Sequence, residues 1–143
     1  MKHTRFFSFL AIGFALLASV SCAGGNKMKE SDLMHRRFVL ESVNGAPYKS
    51  TFRTPEIEFG ENFNVYGQVC NRYRGQGKLA GNVLTVGQMA TTMMMCPDEE
   101  LNKLERDFGQ MMQNGAKAEL TGNTLILSGS GLTLVYTASD WKQ

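Results

Sequence analysis

The 143-residue sequence has few of the side chains on which hydrolases depend. A Ser-His-Asp or Cys-His arrangement needs a histidine as its base, and His35 is the one histidine beyond the N-terminal apolar segment. We interpret His35 as a solvated residue. The sequence also contains no glycine-rich phosphate loop and no dinucleotide fingerprint. We therefore expect no catalytic residue and no cofactor, and we predict that the protein is not an enzyme.

An excess of charge of either sign is also missing. The whole chain carries a net charge of +2, but residues 1–21 hold Lys2 and Arg5 and no acid, so the remaining 122 residues carry 13 basic and 13 acidic side chains. Because nucleic-acid-binding domains carry a basic excess, this balance predicts no nucleic-acid partner. A chain of 122 residues is long enough for one domain with a hydrophobic core.

Long apolar runs are confined to residues 6–20. This run follows a short basic start and precedes small residues around Cys22, which is the order of a secretory signal peptide over residues 1–21. It is shorter than the roughly 18 residues that span a bilayer. A cysteine directly after small residues predicts a lipoprotein that is lipidated on Cys22. The alternative is ordinary cleavage nearby, which would leave Cys22 free or remove it.

Lipidation of Cys22 would tether the protein to a membrane of the bacterial cell envelope. Two or more acyl chains anchor a protein stably, whereas one chain binds only marginally. Residues 22–34 are small and polar without periodicity, so we interpret them as a lipidated tether and residues 35–140 as the folded domain. We expect the protein at the outer membrane, on its periplasmic or surface face.

Cysteines are scarce, and beyond Cys22 only Cys70 and Cys96 remain. Because an exported protein meets an oxidising compartment, an isolated pair predicts a disulfide. The loop-entropy model gives about 3.5 kcal/mol for closing a loop of this length. The alternative is a pair of buried thiols.

From residue 36 onward, short alternating runs are separated by turn residues such as Asn44-Gly45 and Gly122-Asn123. Successive hairpins with glycine in the turns predict an antiparallel meander. The predicted strands are residues 37–43, 56–59, 63–69, 72–79, 83–86, 116–120, 124–127 and 132–137.

One segment has helical periodicity. Pro97 precedes three acidic residues, and apolar residues then recur three to four positions apart until Asn114-Gly115. This pattern predicts an amphipathic helix whose apolar stripe closes over the sheet. The stripe comprises Leu101, Leu104, Phe108, Met111 and Met112.

Two segments resemble the META domain, also called the HslJ-like family. Residues 67–75 (GQVCNRYRG) match its Gly…Cys-Asn-x-Tyr-x-Gly strand, and residues 89–97 (MATTMMMCP) match its methionine-rich stretch before the helix. The closing hairpin at residues 122–134 is also similar. The resemblance covers roughly residues 35–138 and implies a mainly β (α+β) fold. That fold is a curved antiparallel meander sheet, partly barrel-like, with one helix packed on it.

The resemblance also implies a cellular location. Family members occur as bacterial envelope lipoproteins, some of them heat-inducible, and no catalytic residue can be carried over from them. We therefore predict a non-enzymatic, lipid-anchored envelope protein with a binding or stabilising role in envelope stress, and an envelope protein is the expected partner.

Four consecutive residues form a possible recognition patch, namely Asn71, Arg72, Tyr73 and Arg74. The alternative, which we favour, is that Asn71 and a threonine at position 91 or 92 satisfy backbone groups where strands bend.

Methionines cluster in one place, at Met89 and residues 93–95, beside Cys96. Thioether and thiolate ligands favour Cu(I). Consecutive side chains of an extended segment alternate in direction, however, and methionine commonly fills core gaps. We therefore expect no metal site.

Three other functions remain open. A curved sheet can enclose an apolar cavity, which would make the protein a small-ligand carrier. A protein inhibitor or assembly factor would act through an exposed loop, and Cu(I) binding is the least favoured alternative. A cavity inside the sheet would favour the carrier, whereas a filled interior with an exposed patch would favour a protein partner.

Overall fold

The computed structural model describes residues 27–139. The predicted signal peptide and Cys22 therefore lie outside the described residues. Within residues 27–139, no helix combines the length and the apolar character that crossing a bilayer requires.

The described chain is mostly strand, with one long helix. The short helix α1 (Glu30–Leu33) comes first, and a 3-10 turn (Glu61–Phe63) lies before the fourth strand. The strands are β1 (Arg36–Val43), β2 (Ala46–Pro47), β3 (Glu56–Phe59), β4 (Asn64–Gln68), β5 (Arg72–Ala80), β6 (Val83–Thr91), β7 (Ala116–Thr121), β8 (Thr124–Gly129) and β9 (Leu132–Ser139), with α2 (Glu99–Asn114) between β6 and β7.

The strands form one antiparallel sheet that closes on itself. Each of β3 to β9 pairs with its neighbour in the chain, and β1 pairs with both β3 and β9, so eight strands complete a barrel. The short β2 pairs only with β1. The predicted mainly β meander with barrel-like curvature and one packed helix is confirmed, and the structure adds the full closure.

The barrel interior is filled with side chains. Phe59 stacks on Phe63 with ring centroids 5.5 Å apart and meets Phe38 edge-on at 6.1 Å. Tyr136 and Ile57 are also fully buried in the same cluster. Because aliphatic and aromatic side chains from inward-facing positions occupy the centre, the inside of this barrel is a packed core.

Helix α2 closes the barrel where the sheet is weakest. The β6–β7 ladder holds only two residue pairs, and α2, which connects these strands, packs mainly on β6 and also contacts β8 and β9. Asp98 caps its first turn by accepting from the backbone N–H groups of Glu100 and Leu101. Its apolar stripe is buried as predicted, with Phe108 against Tyr73 at 4.9 Å between ring centroids.

Two expectations need correction. Residues 30–33, which lie in the predicted tether, are folded instead, because they form α1 and Leu33 is fully buried in the core. A four-residue helix with one buried side chain has no periodicity by which a sequence could reveal it. Strand β6 also runs to Thr91, five residues beyond the predicted end, through a bulge opposite residues 74–76.

Candidate functional site

The two motifs singled out in the sequence lie side by side. Tyr73 pairs with Thr91 and Arg74 with Ala90 in the β5–β6 ladder. At the end of this ladder Cys70 and Cys96 form the predicted disulfide, with their Cα atoms 5.9 Å apart. The motif segments therefore meet at one end of the barrel, next to the start of α2.

Asn71 joins these segments from inside the protein. Its side chain is 4% exposed, and its Oδ1 accepts from the Met94 N–H at 2.6 Å and from the Thr92 hydroxyl at 3.0 Å. Its Nδ2 donates to the Met94 carbonyl at 3.0 Å. The Thr92 hydroxyl in turn accepts from the Arg72 N–H. Asn71 and Thr92 thus satisfy backbone groups where the strands end, which is the structural role favoured from the sequence.

Helix α2 contributes a residue that sequence reasoning missed. The Glu105 carboxylate accepts from the Asn71 N–H at 2.6 Å and from the Asn71 Nδ2 at 2.7 Å. A charge at the edge of the apolar stripe, beside Leu104, was the available signal, but only the packing of the helix shows what it meets.

Tyr73 is also a buried residue. Its hydroxyl donates to the Glu56 carbonyl at 2.8 Å. Gly67 permits this approach, because a Cβ atom there would lie 2.7 Å from the Tyr73 hydroxyl and 2.1 Å from the Glu56 carbonyl oxygen. Burial raises the pKa of Tyr73 well above its usual value, with smaller contributions from Tyr136 and Glu56.

The structure divides the four residues of the possible recognition patch between the core and the surface. Side chains alternate along β5, so Tyr73 points into the core while Arg72 and Arg74 point outward. Asn71 precedes the strand and is buried. Of these four side chains, those of the two arginines are exposed to solvent.

These arginines line a groove on the outside of the barrel, which we call the outer groove. It crosses the ends of four strands, is open to solvent and has a volume of about 760 Å³. Its lining residues are Glu56, Tyr66, Gly67, Gln68, Arg72, Tyr73, Arg74, Ala90, Thr91 and Thr92.

The acidic groups near the outer groove already have partners. Glu56 forms a two-bond ion pair with Arg37, and Glu58 accepts from the Tyr66 hydroxyl at 3.2 Å. In the described part of the chain, neither Arg72 nor Arg74 has a side-chain hydrogen bond or an ion pair. The groove therefore presents two uncompensated positive charges.

The methionine cluster is divided between the core and the surface. Met89 packs partly buried against the core, whereas residues 93–95, which we call the methionine tip, stand at the barrel end beside Thr92. Met93 is 94% exposed and Met95 is 85% exposed. Cys96 is bound to Cys70 and so offers no thiolate. Residues 27–139 hold no group of three or more His, Cys, Asp or Glu side chains arranged for a metal.

His35 lies on the surface near Glu61. Its Nε2 is 3.5 Å from a Glu61 carboxylate oxygen, and both side chains are mostly exposed. A solvated position of this kind provides no buried, oriented base beside a nucleophile.

Comparison with known proteins identifies a family and a similar curated protein. The model of the META domain matches residues 31–141. The Heat shock protein HslJ of Escherichia coli (strain K12) is 41% identical over 126 residues, which cover 87% of this chain and 90% of that protein.

Solved structures share the fold. One NMR structure is 42% identical, with a TM-score of 0.74, over 81% of this chain and 99% of its own. A second NMR structure, of a protein from Burkholderia xenovorans, is 15% identical with a TM-score of 0.62, over 97% of this chain and 98% of its own. The second match shows a shared fold alone.

Proposed function

The chain belongs to the META domain family, and from that premise we propose that it is a lipid-anchored, non-enzymatic binding protein of the bacterial cell envelope. One observation carries the proposal: the barrel interior is filled, while the outer groove is open and holds two arginines without partners. Binding on the outside of the barrel is therefore the activity that the geometry supports best.

The filled interior also ranks the alternatives. A small-ligand carrier needs an enclosed apolar cavity, but in this barrel aromatic side chains occupy that place. An inhibitor or assembly factor needs an exposed surface, which the outer groove and the methionine tip supply. Cu(I) binding stays the least favoured alternative, because Cys96 is in a disulfide and the tip methionines are separately exposed.

The proposal of a role in stress is based on the similar Escherichia coli protein. The Escherichia coli protein carries the name Heat shock protein, and this chain is 41% identical to it over most of its length. We propose the same setting for this chain, with binding by the outer groove as the activity needed at elevated temperature.

The anchor rests on the sequence alone. Removing the Cys22 thiol by a Cys22→Ser substitution removes the atom that receives the diacylglyceryl group. We expect this variant to lose acyl labelling and to leave the membrane fraction. Unchanged labelling would contradict the lipoprotein proposal, independently of what the domain binds.

Binding can be tested in intact cells with a photo-crosslinking residue at Ala90, which is exposed within the outer groove. The matched control places the same residue at Val83, which is exposed at the other end of the same strand. We expect a discrete cross-linked product from position 90 that increases on heating, disappears in an Arg72→Gln/Arg74→Gln background and is absent from position 83. Equal products from both positions would contradict the proposal.

A further inference from the structure

We infer that the outer groove binds an acidic, extended segment of a partner polypeptide, with Arg72 and Arg74 taking its carboxylates and the methionine tip covering its apolar side chains. This inference rests on the proposed function and adds to it the chemical class of the partner.

The charge of the outer groove selects an acidic ligand. Arg36, Arg37 and Arg53 donate to carbonyl, amide or carboxylate oxygens of this chain, whereas the exposed Arg106 of α2 has no such partner within residues 27–139 and lies outside the groove. Within residues 27–139, the side chains of Arg72 and Arg74 form no hydrogen bond and no ion pair. Glu56 lines the same groove, but its carboxylate is paired with Arg37. Two free guanidinium groups are suited to carboxylates, which they bind through paired N–H donors.

The spacing of these arginines fits an extended chain. They stand two residues apart on one face of β5, a separation of about 6.6 Å. Alternate residues of an extended polypeptide repeat at the same distance. A segment lying along β5 therefore brings two acidic side chains, two positions apart, to both arginines at once.

The charged groove continues directly into an apolar surface at the methionine tip. The Thr92 N–H donates to the Arg72 carbonyl at 3.0 Å, so the chain passes directly from the groove wall into the methionine tip. Unbranched thioether side chains adapt to differently shaped apolar partners. A tip of three exposed methionines beside two cations favours a polypeptide over a free anion, which would use the cations alone.

The placement of the groove disfavours lipid headgroups. The Met28 N–H donates to Asn82 Oδ1 at 3.1 Å, in the turn that joins β5 to β6. The Arg72 end of β5 lies on the opposite side, and nine strand residues span about 30 Å. Six Cα–Cα steps separate Cys22 from Met28 and reach at most about 21 Å. An anchor on Cys22 thus holds the barrel by the end farther from the groove.

The test uses the mature, lipidated full chain in non-ionic detergent and a labelled ten-residue peptide in which glutamates alternate with leucines. A peptide with glutamine at every glutamate position is the second probe. We expect the glutamate peptide to bind in a salt-sensitive manner and the glutamine peptide to bind at least about tenfold more weakly.

Variants locate the contact. Arg72→Gln/Arg74→Gln should weaken the glutamate peptide about tenfold, whereas Lys103→Gln/Lys117→Gln removes two exposed charges on α2 and β7, outside the groove, and should change binding less than about twofold. Equal binding of both peptides, or an unaffected arginine variant that is folded, would overturn the inference.

A competition arm separates the polypeptide from other anions. Phosphatidylglycerol vesicles that displace the glutamate peptide, and that bind through the same two arginines, would overturn the assignment to a polypeptide. If the product at position 90 forms in cells while the glutamate peptide does not bind, the acidic-segment inference fails and the binding proposal stands. If the product is absent while the peptide binds, the proposed cellular function fails.

Discussion

Asn71 shows how one buried side chain holds the centre of the domain. Its amide satisfies both the N–H and the carbonyl of Met94 and also meets Thr92 and Glu105, so the irregular segment after β6 is fixed to the start of β5. Buried polar groups without partners cost free energy. The cysteine next to Asn71 in sequence adds a covalent link to the same place.

We predict that Asn71→Ala lowers the free energy of unfolding by about 2–4 kcal/mol, because it leaves the Met94 N–H and carbonyl without their side-chain partner and removes one of the two hydrogen bonds to the Glu105 carboxylate. Urea denaturation measures this change. Arg72→Ala, at the adjacent exposed position, is the control and should stay within about 0.5 kcal/mol of the parent. Equal stability of the two variants would show that the Asn71 network contributes little.

Tyr136 gives a prediction on pH. Burial raises the pKa of its phenol above the usual 10.0, so the folded protein favours the neutral form. Above about pH 10 the unfolded chain ionises this group and the folded chain does not, so stability is complete below that pH and falls as the pH rises further.

In Tyr136→Phe, this source of alkaline destabilisation is removed. The unfolding free energy, measured in urea between pH 8 and pH 11, should decrease less steeply above about pH 10 than in the parent. A parallel decrease in both proteins would mean that Tyr136 does not contribute.

At the scale of elements, the sequence predicted more than it missed. Each predicted strand and the long helix are present, because alternation and turn glycines are local signals. The extension of β6 through residues 87–91 was missed, since this stretch lacks alternation and contains Gln88 at a positive φ. The structural role of Asn71 was favoured from its residue type, but its partner Glu105 lies 34 positions away, and only the packing of α2 brings the two residues together.

Helix α2 is held by the face that those patterns identified. Phe108 is 1% exposed and lies against Tyr73, so Phe108→Ala should cost about 3–5 kcal/mol of unfolding free energy through lost burial and a cavity. Gln110→Ala, at an exposed position two residues later, is the control and should have little effect. Thermal and urea unfolding of both variants measure the difference. A Phe108→Ala protein as stable as the control would mean that the helix is not fixed to the barrel.

On the scale of the whole molecule, the disulfide links the entrance of β5 to the segment that leads into α2. Cys70→Ser/Cys96→Ser should lower the unfolding free energy by about 3.5 kcal/mol, the loop-entropy value for a separation of 26 residues. Unfolding of the variant beside the oxidised parent and the reduced parent measures this. Reduction without any loss of stability would contradict the expected contribution.

The groove is a property of the whole molecule that no local pattern reveals. Its walls come from residues 56, 66–68, 72–74 and 90–92, which only the sheet brings together. Its charge depends on Arg37 of β1, which forms an ion pair with Glu56 and so leaves the two arginines without an acidic partner. The sequence grouped Arg72 and Arg74 with Asn71 and Tyr73, which are buried, because adjacency in the chain does not distinguish the two faces of a strand.

The pairing of β1 with β9 affects the order in which the barrel can fold. Arg37 is a neighbour of Ser139, so the final hydrogen bonds of the barrel join residues about a hundred positions apart. Contacts of such high sequence separation form late and slowly, since the entropy of closing a long loop is lost before the contacts contribute any stability. During synthesis, β1 is the first strand to emerge, and one of its edges has no partner until β9 has been made. A chain that ends before residue 132 lacks β9, so its sheet stays open with two unpaired edges. We expect such a chain to aggregate and to be cleaved by proteases, and not to form a stable smaller domain.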